Sequence, residues 1–271
     1  MKNFESQYIA ERYRIIAPLG KGGMGEVFRC RDSKMGKDVA VKVLLSSASD
    51  DVIKRFQTEA RTLAQLNHPN ILSVLDFGQA ADGRLYLVME LIKGKSLSDV
   101  INENGPIALP RAWAIFEQLC LGLIHAHAHN VLHRDIKPSN VMILDGKRDQ
   151  LEVKLVDFGL AKALGKDQDL TKTGSIMGSA PYISPEAVQG KELDERSDVY
   201  SLGCLFFEVL TGVPPFDSPA ALQTMMLHIN TAAPALSARS GKEFDANVES
   251  LVGKCLQKRP GSLSARSIYS G

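Results

Sequence analysis

Within His133-Arg134-Asp135-Ile136-Lys137-Pro138-Ser139-Asn140, basic side chains, a carboxylate and a carboxamide share eight residues of loop-like sequence. Seventeen residues after Asn140 comes Asp157-Phe158-Gly159, a second carboxylate on a turn whose glycine permits unusual backbone angles. Hard oxygen donors of this kind suit Mg²⁺. Upstream, Gly20-Lys21-Gly22-Gly23-Met24-Gly25 fits GxGxxG, a pattern that lets backbone N–H groups approach phosphate oxygens. Val39-Ala40-Val41-Lys42 sets an ammonium in an apolar strand, where it needs an anionic partner to offset desolvation. Glu59, on the helix that follows, is the natural candidate. Each motif alone has a plainer reading: a structural hairpin, a solvated lysine, an ordinary helix-face glutamate.

The elements around these residues change character along the chain. Tyr13 to Leu19, Gly25 to Asp32 and Lys37 to Leu44 read as strands of an antiparallel meander. From Asp51 to Leu66, Val52, Phe56, Ala60, Leu63 and Leu66 recur at helical spacing behind a cap at Ser49 or Asp50, and His68-Pro69 ends the run. Two more strands, Ile71 to Phe77 and Arg84 to Leu91, flank the Ala81-Asp82-Gly83 turn. The strand–loop–strand setting of the glycines disfavours a dinucleotide fold, which needs a helix straight after the last glycine. Beyond Gly94, Pro110 to His129 and Asp198 to Thr211 are long apolar-periodic helices. Short strands are expected at Val141 to Leu144 and Val153 to Val156 between them, and the polar segment from Gly165 to Gly178 reads as a mobile one. The reading is α+β: residues 1–11 as an extension, 12–91 as a five-strand, one-helix lobe, 92–271 as a mainly helical lobe, and a hinge near 90–94.

Composition narrows the functional classes. The 271 residues are 44% hydrophobic and 23% charged, values of a globular chain. Lys plus Arg number 32 against 31 Asp plus Glu, so the formal charge of +1 offers no bulk attraction to nucleic acid or anionic membrane. The four cysteines form no CxxC pair and read as reduced, buried thiols. The apolar stretches fall short of the ~20 residues needed to cross a bilayer, and the N-terminal sequence has no apolar signal core. A cytoplasmic setting is expected.

The glycine loop, VAVK, HRDxKPxN, DFG, Ser184-Pro185-Glu186 and Asp198-Val199-Tyr200-Ser201-Leu202-Gly203 occur in that order. With them, residues from about Tyr13 to Lys258 resemble a protein kinase. GKGGMGEV, HRDIKPSN and GSAPYISPE look most like the bacterial, eukaryotic-like serine/threonine kinases, and Lys137 two residues after Asp135 marks the Ser/Thr class.

The resemblance implies a bilobal kinase fold, ATP with Mg²⁺ (or Mn²⁺ in its place), and protein substrates bearing Ser or Thr. Gly20, Gly22 and Gly25 would cover the phosphates, and Leu19, Lys21, Gly23 and Met24 would also line the nucleotide site. Lys42, oriented by Glu59, would hold the α- and β-phosphates. Val27, Ala40 and Met142 would sandwich adenine, with Met89 as gatekeeper before the hinge Glu90-Leu91-Ile92. Asp157 and Asn140 would bind metal, Asp135 would accept the substrate hydroxyl proton, and Lys137 would neutralise the γ-phosphate. Leu63, Val74, His133 and Phe158 would stack as a spine anchored by Asp198. Thr171 and Thr173, near the cationic pair Arg134 and Lys162, are candidates for autophosphorylation, for which two copies could pair. Ser179 replaces a threonine usual in the family, and its hydroxyl could still contact Asp135 and Lys137.

Some residues depart from that pattern. Gln257-Lys258-Arg259-Pro260 brings together a lysine and an Arg-Pro that the family separates, which questions pairing of Arg259 with Glu186 and points to a less stable C-lobe. Ser96 and Ser139 stand where basic-directed relatives carry acids, although Glu208 remains. His125, His127 and His129 form HxHxH, conceivable as a metal site, but the end of a core helix explains them; Trp113 and Phe116 are read as core. Many relatives continue into a membrane span and sensor, so the chain could be the cytoplasmic part of an anchored kinase. The presence of Lys42, Glu59, Asp135, Asn140 and Asp157 disfavours a pseudokinase or scaffold, and Ser184-Pro185-Glu186 with the loop before it, a peptide platform in relatives, disfavours a small-molecule kinase of similar fold.

Overall fold

The computed structural model describes residues 8–22, 25–47, 49–144, 151–158 and 178–258. Of these, 8–68 and 72–93 form one compact unit, and 69–71, 94–158 and 178–258 form another.

The first unit is an antiparallel sheet in the order β1-β2-β3-β4-β6-β5. Its strands are β1 (Tyr8–Ile9), β2 (Tyr13–Gly22), β3 (Gly25–Asp32), β4 (Lys37–Ser47), β5 (Val74–Gln79) and β6 (Arg84–Glu90). The five expected strands are joined by β1, a two-residue strand in the stretch read as an extension. It folds back on β2 through Ala10 and Glu11, both in the left-handed region (φ 50 and 55). The expected strand from Ile71 begins instead at Val74; Ile71 belongs to the second unit and bridges Leu155. Period-two burial of Tyr13 and Ile15, Phe28 and Cys30, and Val39, Val41 and Val43 makes one apolar face. Helix α1 (Asp50–Ala64) turns Phe56, Ala60 and Leu63 inward, with the Phe56 ring edge-on to Phe77 at 6.4 Å.

One partly buried charge cluster ties this sheet together. Arg12 makes two bonds to Asp32 (3.0 and 2.7 Å) and one to Asp76 (2.9 Å), while the Tyr13 hydroxyl donates to Asp76 at 2.6 Å. Asp32 also caps the following turn by accepting from the N–H groups of Lys34 and Met35. The guanidinium, first of all, holds the Asp32 carboxyl down to about 2. Because the folded value is depressed, this stabilisation is complete above the ordinary carboxylate range near 4 and is lost as pH falls toward 2. Thermal unfolding of wild type and Arg12→Met between pH 6 and 2.5 is expected to show a steeper acid loss in wild type. Parallel curves would contradict the assignment.

The second unit is built on α5 (Glu195–Thr211), buried along nearly all its length, hence apolar all round rather than on one stripe. The other helices are α2 (Leu97–Asn104), α3 (Leu109–Ala128), α4 (Pro185–Val188), α6 (Ala221–Asn230), α7 (Leu236–Ser240) and α8 (Ala246–Cys255). A small antiparallel sheet of β7 (Gly94–Ser96), β8 (Val141–Leu144) and β9 (Val153–Leu155) completes it. Phe116 on α3 stacks on Phe206 of α5 at 4.3 Å. Trp113, expected in the core, is 44% exposed and covers the outer side of that stack. Gly203 permits close packing of α5 on α8: a Cβ there would meet that of Cys255 at 2.6 Å. All four cysteines are free and buried. Among the described residues no helix is long and apolar enough to cross a membrane.

Candidate active site

In the second unit, α3 ends at Ala128 and the chain turns through Asn130, in the left-handed region at φ 58. The loop that follows is pinned by one carboxylate. Asp198, in the first turn of α5, accepts the backbone N–H groups of His133 and Arg134, each at 2.8 Å, and lies 2.9 Å from the His127 ring Nε2. Its side chain is 2% exposed, so these donors stand in for the water it has lost. They also hold Arg134 at φ 67, a conformation that an unconstrained arginine avoids.

With the loop so held, Asp135 becomes the centre of a polar cluster. Its Oδ1 accepts from the Ser179 hydroxyl at 2.7 Å, and its Oδ2 accepts from Lys137 Nζ at 2.8 Å and Asn140 Nδ2 at 3.0 Å. Lys137 Nζ also donates to Ser179 Oγ at 2.8 Å. The Ser179 contacts expected from sequence are thus both present. Asn140 sends Nδ2 to the Asp135 carbonyl as well, at 2.8 Å, which turns its Oδ1 away from Asp135. The Asp135 side chain is 34% exposed, open enough for an incoming hydroxyl.

Asp157 is brought beside this loop through the backbone. Val156 N–H donates to the Asn140 carbonyl at 2.9 Å, and the Val156 carbonyl lies 3.0 Å from His133 Nε2. His133 Nδ1 accepts from Asp135 N–H at 3.3 Å, so the ring is the Nε2–H tautomer. Complete burial pushes its pKa down, which fits a neutral structural imidazole rather than a base. Phe158 packs on that ring at 4.5 Å, and Asp157 sits at φ 61. The Asp157 carboxylate and the Asn140 carboxamide oxygen are hard donors of the type Mg²⁺ takes.

The first unit carries most of the remaining candidates. Lys42 is buried in the middle of β4, with Val27 and Leu87 as its cross-strand neighbours, and Glu59 is half-buried on α1. Ala40 and Met89 are buried opposite each other on β4 and β6, and Leu19 is exposed on β2. Glu90 is engaged twice with Ser73, through N–H to carbonyl and through its carboxylate to N–H; Ile92 follows β6. Met142, in the second unit, lies on β8. Gly20, Lys21 and Gly22 are not loop but the end of β2, pairing with Val27, Glu26 and Gly25. Gly23, Met24, Gly159, Lys162, Thr171, Thr173 and Arg259, and the segment 165–177, lie outside the described residues.

Several side chains have employment that motif reading did not reveal. His127 is a partner of Asp198, not of His125 and His129; helical spacing turns it to the opposite face, and that was the available signal. Glu186 accepts from Ser197 at 2.6 Å, Glu208 from the Tyr182 hydroxyl at 2.5 Å, and Ser96 forms a capping box with Asp99 at the start of α2.

Compared with known proteins, the chain matches the protein kinase domain family over residues 13–269. It therefore belongs to the protein kinases, and within them to the bacterial serine/threonine type. Serine/threonine-protein kinase pkn3 of Myxococcus xanthus is 38% identical over 263 residues, covering 95% of this chain and 48% of that protein. PknB of Mycolicibacterium smegmatis is 41% identical over 262 residues, covering 94% and 41%. The chain thus spans about half or less of these relatives' length. The crystal structure of the Mycobacterium tuberculosis PknI kinase domain superposes with a TM-score of 0.76 at 28% identity, covering 98% of this chain and 96% of that one.

Proposed function

We propose that this chain transfers the γ-phosphate of ATP to serine and threonine hydroxyls of proteins, with Mg²⁺ as its metal. The observation that carries the reading is the Ser179 hydroxyl, donating to Asp135 while its oxygen accepts from Lys137. A serine hydroxyl of a substrate would need the same two partners: a carboxylate to take its proton and a cation beside the nucleophilic oxygen. Phosphoryl transfer spreads charge over three equatorial oxygens, so the catalyst's work is positioning and charge stabilisation. Lys137 answers the charge on the γ-phosphate, and Lys42, oriented by Glu59, holds the α- and β-phosphates. Asp157 and Asn140 would hold Mg²⁺, which when bound neutralises charge on the β- and γ-phosphates. Asp135 takes the proton as the substrate oxygen attacks. Thr171 and Thr173 are proposed sites of activating autophosphorylation. The full set of Lys42, Glu59, Asp135, Asn140 and Asp157 speaks against the scaffold reading.

Phosphoamino-acid analysis after incubation with γ-labelled ATP, Mg²⁺ and a generic protein is the test. Label on serine or threonine is expected; label confined to tyrosine, or none, would refute the proposal.

The glycines supply a second expected result. A Cβ at Gly25 would lie 2.3 Å from the Val43 carbonyl oxygen, whereas none of the described residues comes within 4 Å of one at Gly20 or Gly22. The fold itself therefore demands glycine at 25 alone of the three. Gly25→Ala should lower the melting temperature markedly. Gly20→Ala and Gly22→Ala should leave it within about 2 °C, less than 1 kcal/mol for a domain of this size, yet raise KM for ATP. Thermal unfolding beside ATP-dependence kinetics checks this, and equal destabilisation by all three would contradict it.

A further inference from the structure

Helix α6 carries a buried imidazole that none of the steps above uses. His228 is 0% exposed, its Nδ1 lies 2.8 Å from the Tyr200 hydroxyl, and the rings of Tyr200 and Phe216 meet it edge-on at 5.6 and 4.9 Å. The Tyr200 oxygen also accepts from Lys258 Nζ at 2.9 Å, and that ammonium sits 4.1 Å from the centre of the Phe216 ring. An ammonium only donates, so the Tyr200 proton goes to Nδ1 and His228 carries its own on Nε2. Among the described residues Nε2 finds no full hydrogen bond, and the backbone of Ala180 and Pro181 faces it where α6 packs on that turn. Burial first, then Lys258, holds the imidazole down to about 4, so this neutral tautomer persists at neutral pH.

The turn it faces, Ala180–Tyr182, starts immediately after Ser179. From α5 the same turn is held by the Ser201 hydroxyl, which donates to the Tyr182 carbonyl at 2.7 Å. An all-apolar contact would fill this space without the cost of two buried polar groups and a half-buried ammonium. The chain of donors instead ends at an imidazole packed against the turn that follows Ser179, the residue whose hydroxyl reaches Asp135.

We propose that Lys258, Tyr200 and His228 form a strut that positions Ser179, and through it Asp135 and Lys137, making Tyr200 and His228 positioning residues for phosphoryl transfer. The inference rests on the kinase reading for its catalytic consequence, but not for its structural one. Displacement of a reacting group by a fraction of an ångström is costly in a site whose work is alignment.

Tyr200→Phe removes one oxygen and keeps the ring. Hydrogen–deuterium exchange should then accelerate at the amides of Tyr182 and Ile183, which bond to the carbonyls of Ser179 and Ala180, while α3 stays unchanged. Unchanged exchange in this segment would overturn the proposal whether or not the chain transfers phosphate. In kinetics, Tyr200→Phe should lower kcat about two- to tenfold, the worth of one hydrogen bond, with KM for ATP unaltered. The double variant Tyr200→Phe/Ser179→Ala should be no slower than Ser179→Ala alone, because Tyr200 acts through Ser179. Multiplying losses, or a change confined to KM for ATP, would contradict it. Should Tyr200→Phe fold poorly, Lys258→Met interrupts the same chain from its other end and is held to the same outcomes. A wild type that transfers no phosphate refutes the kinase reading and leaves the exchange experiment to decide the strut.

Discussion

Asp135→Asn is expected to lower kcat by about 10²–10⁴-fold, the usual worth of a positioned general base, while KM for ATP stays within about twofold. The carboxylate accepts from Ser179 on one oxygen and from Lys137 and Asn140 on the other. A carboxamide can keep one of those acceptors but cannot take a proton at neutral pH, and its NH₂ group would meet the donors that now converge on Oδ2. The loop backbone should survive, because Asp198 rather than Asp135 holds it. Steady-state kinetics with a peptide substrate, together with calorimetric ATP binding, separates the two effects. A fall of less than tenfold would remove Asp135 from the role of base. A matching loss of nucleotide affinity would mean the residue serves binding instead.

The second large effect is structural. Asp198→Ala removes a carboxylate that accepts from three donors at once: the His133 and Arg134 amides and the His127 ring. Each amide then lies buried with its bond lost, and Arg134 loses what holds its left-handed conformation. Breaking a buried charged network of this kind costs about 3–5 kcal/mol, which for a domain of this size corresponds to a drop of roughly 10 °C or more in melting temperature. Activity should fall with it, because the loop carrying Asp135 and Lys137 loses its anchor. Differential scanning calorimetry of Asp198→Ala beside Asp194→Ala checks this. Asp194 caps the exposed start of α5, where its ion pair with Arg196 is worth little and its cap bond to the Arg196 amide about 1 kcal/mol, well short of the loss expected at Asp198. Equal shifts for the two variants would contradict the account.

How far the sequence discloses this arrangement depends on the kind of signal each residue carries. Long-period patterns were readable: strands β2 to β4, helices α3 and α5, and the change from sheet to helix near Gly94 follow from where apolar residues recur. Strand β1 was not, because two residues cannot show a period, and only pairing with Tyr13 and Arg14 makes them a strand. Ile71 looks like the start of β5 by composition, yet it bridges Leu155 and belongs with it to the second unit, a long-range choice that local pattern does not encode. Trp113 shares the helical stripe of Phe116 but lies at its rim, since a large ring can cover a stack without being enclosed.

The site shows the same division. Asp135, Lys137, Asn140 and Asp157 stand out because charged and amide side chains crowd short motifs. Ser179 stands out through its motif and lies on both of its expected partners. His127 was overshadowed by its histidine neighbours, although its partner Asp198 is an acid within an apolar helix and so advertises the need for a donor. Tyr200, His228 and Lys258 are far apart in sequence and share no motif, so only the packing of α6 and the chain after α8 on α5 brings them together.

The most direct measurement compares phosphate incorporation from γ-labelled ATP into a generic protein by wild type, Lys42→Met and Asp135→Asn at equal concentration, with and without a chelator of divalent ions. The account predicts steady incorporation by wild type that the chelator abolishes and that both variants lose almost entirely. Equal incorporation by all three proteins, or transfer that persists in the chelator, would contradict it.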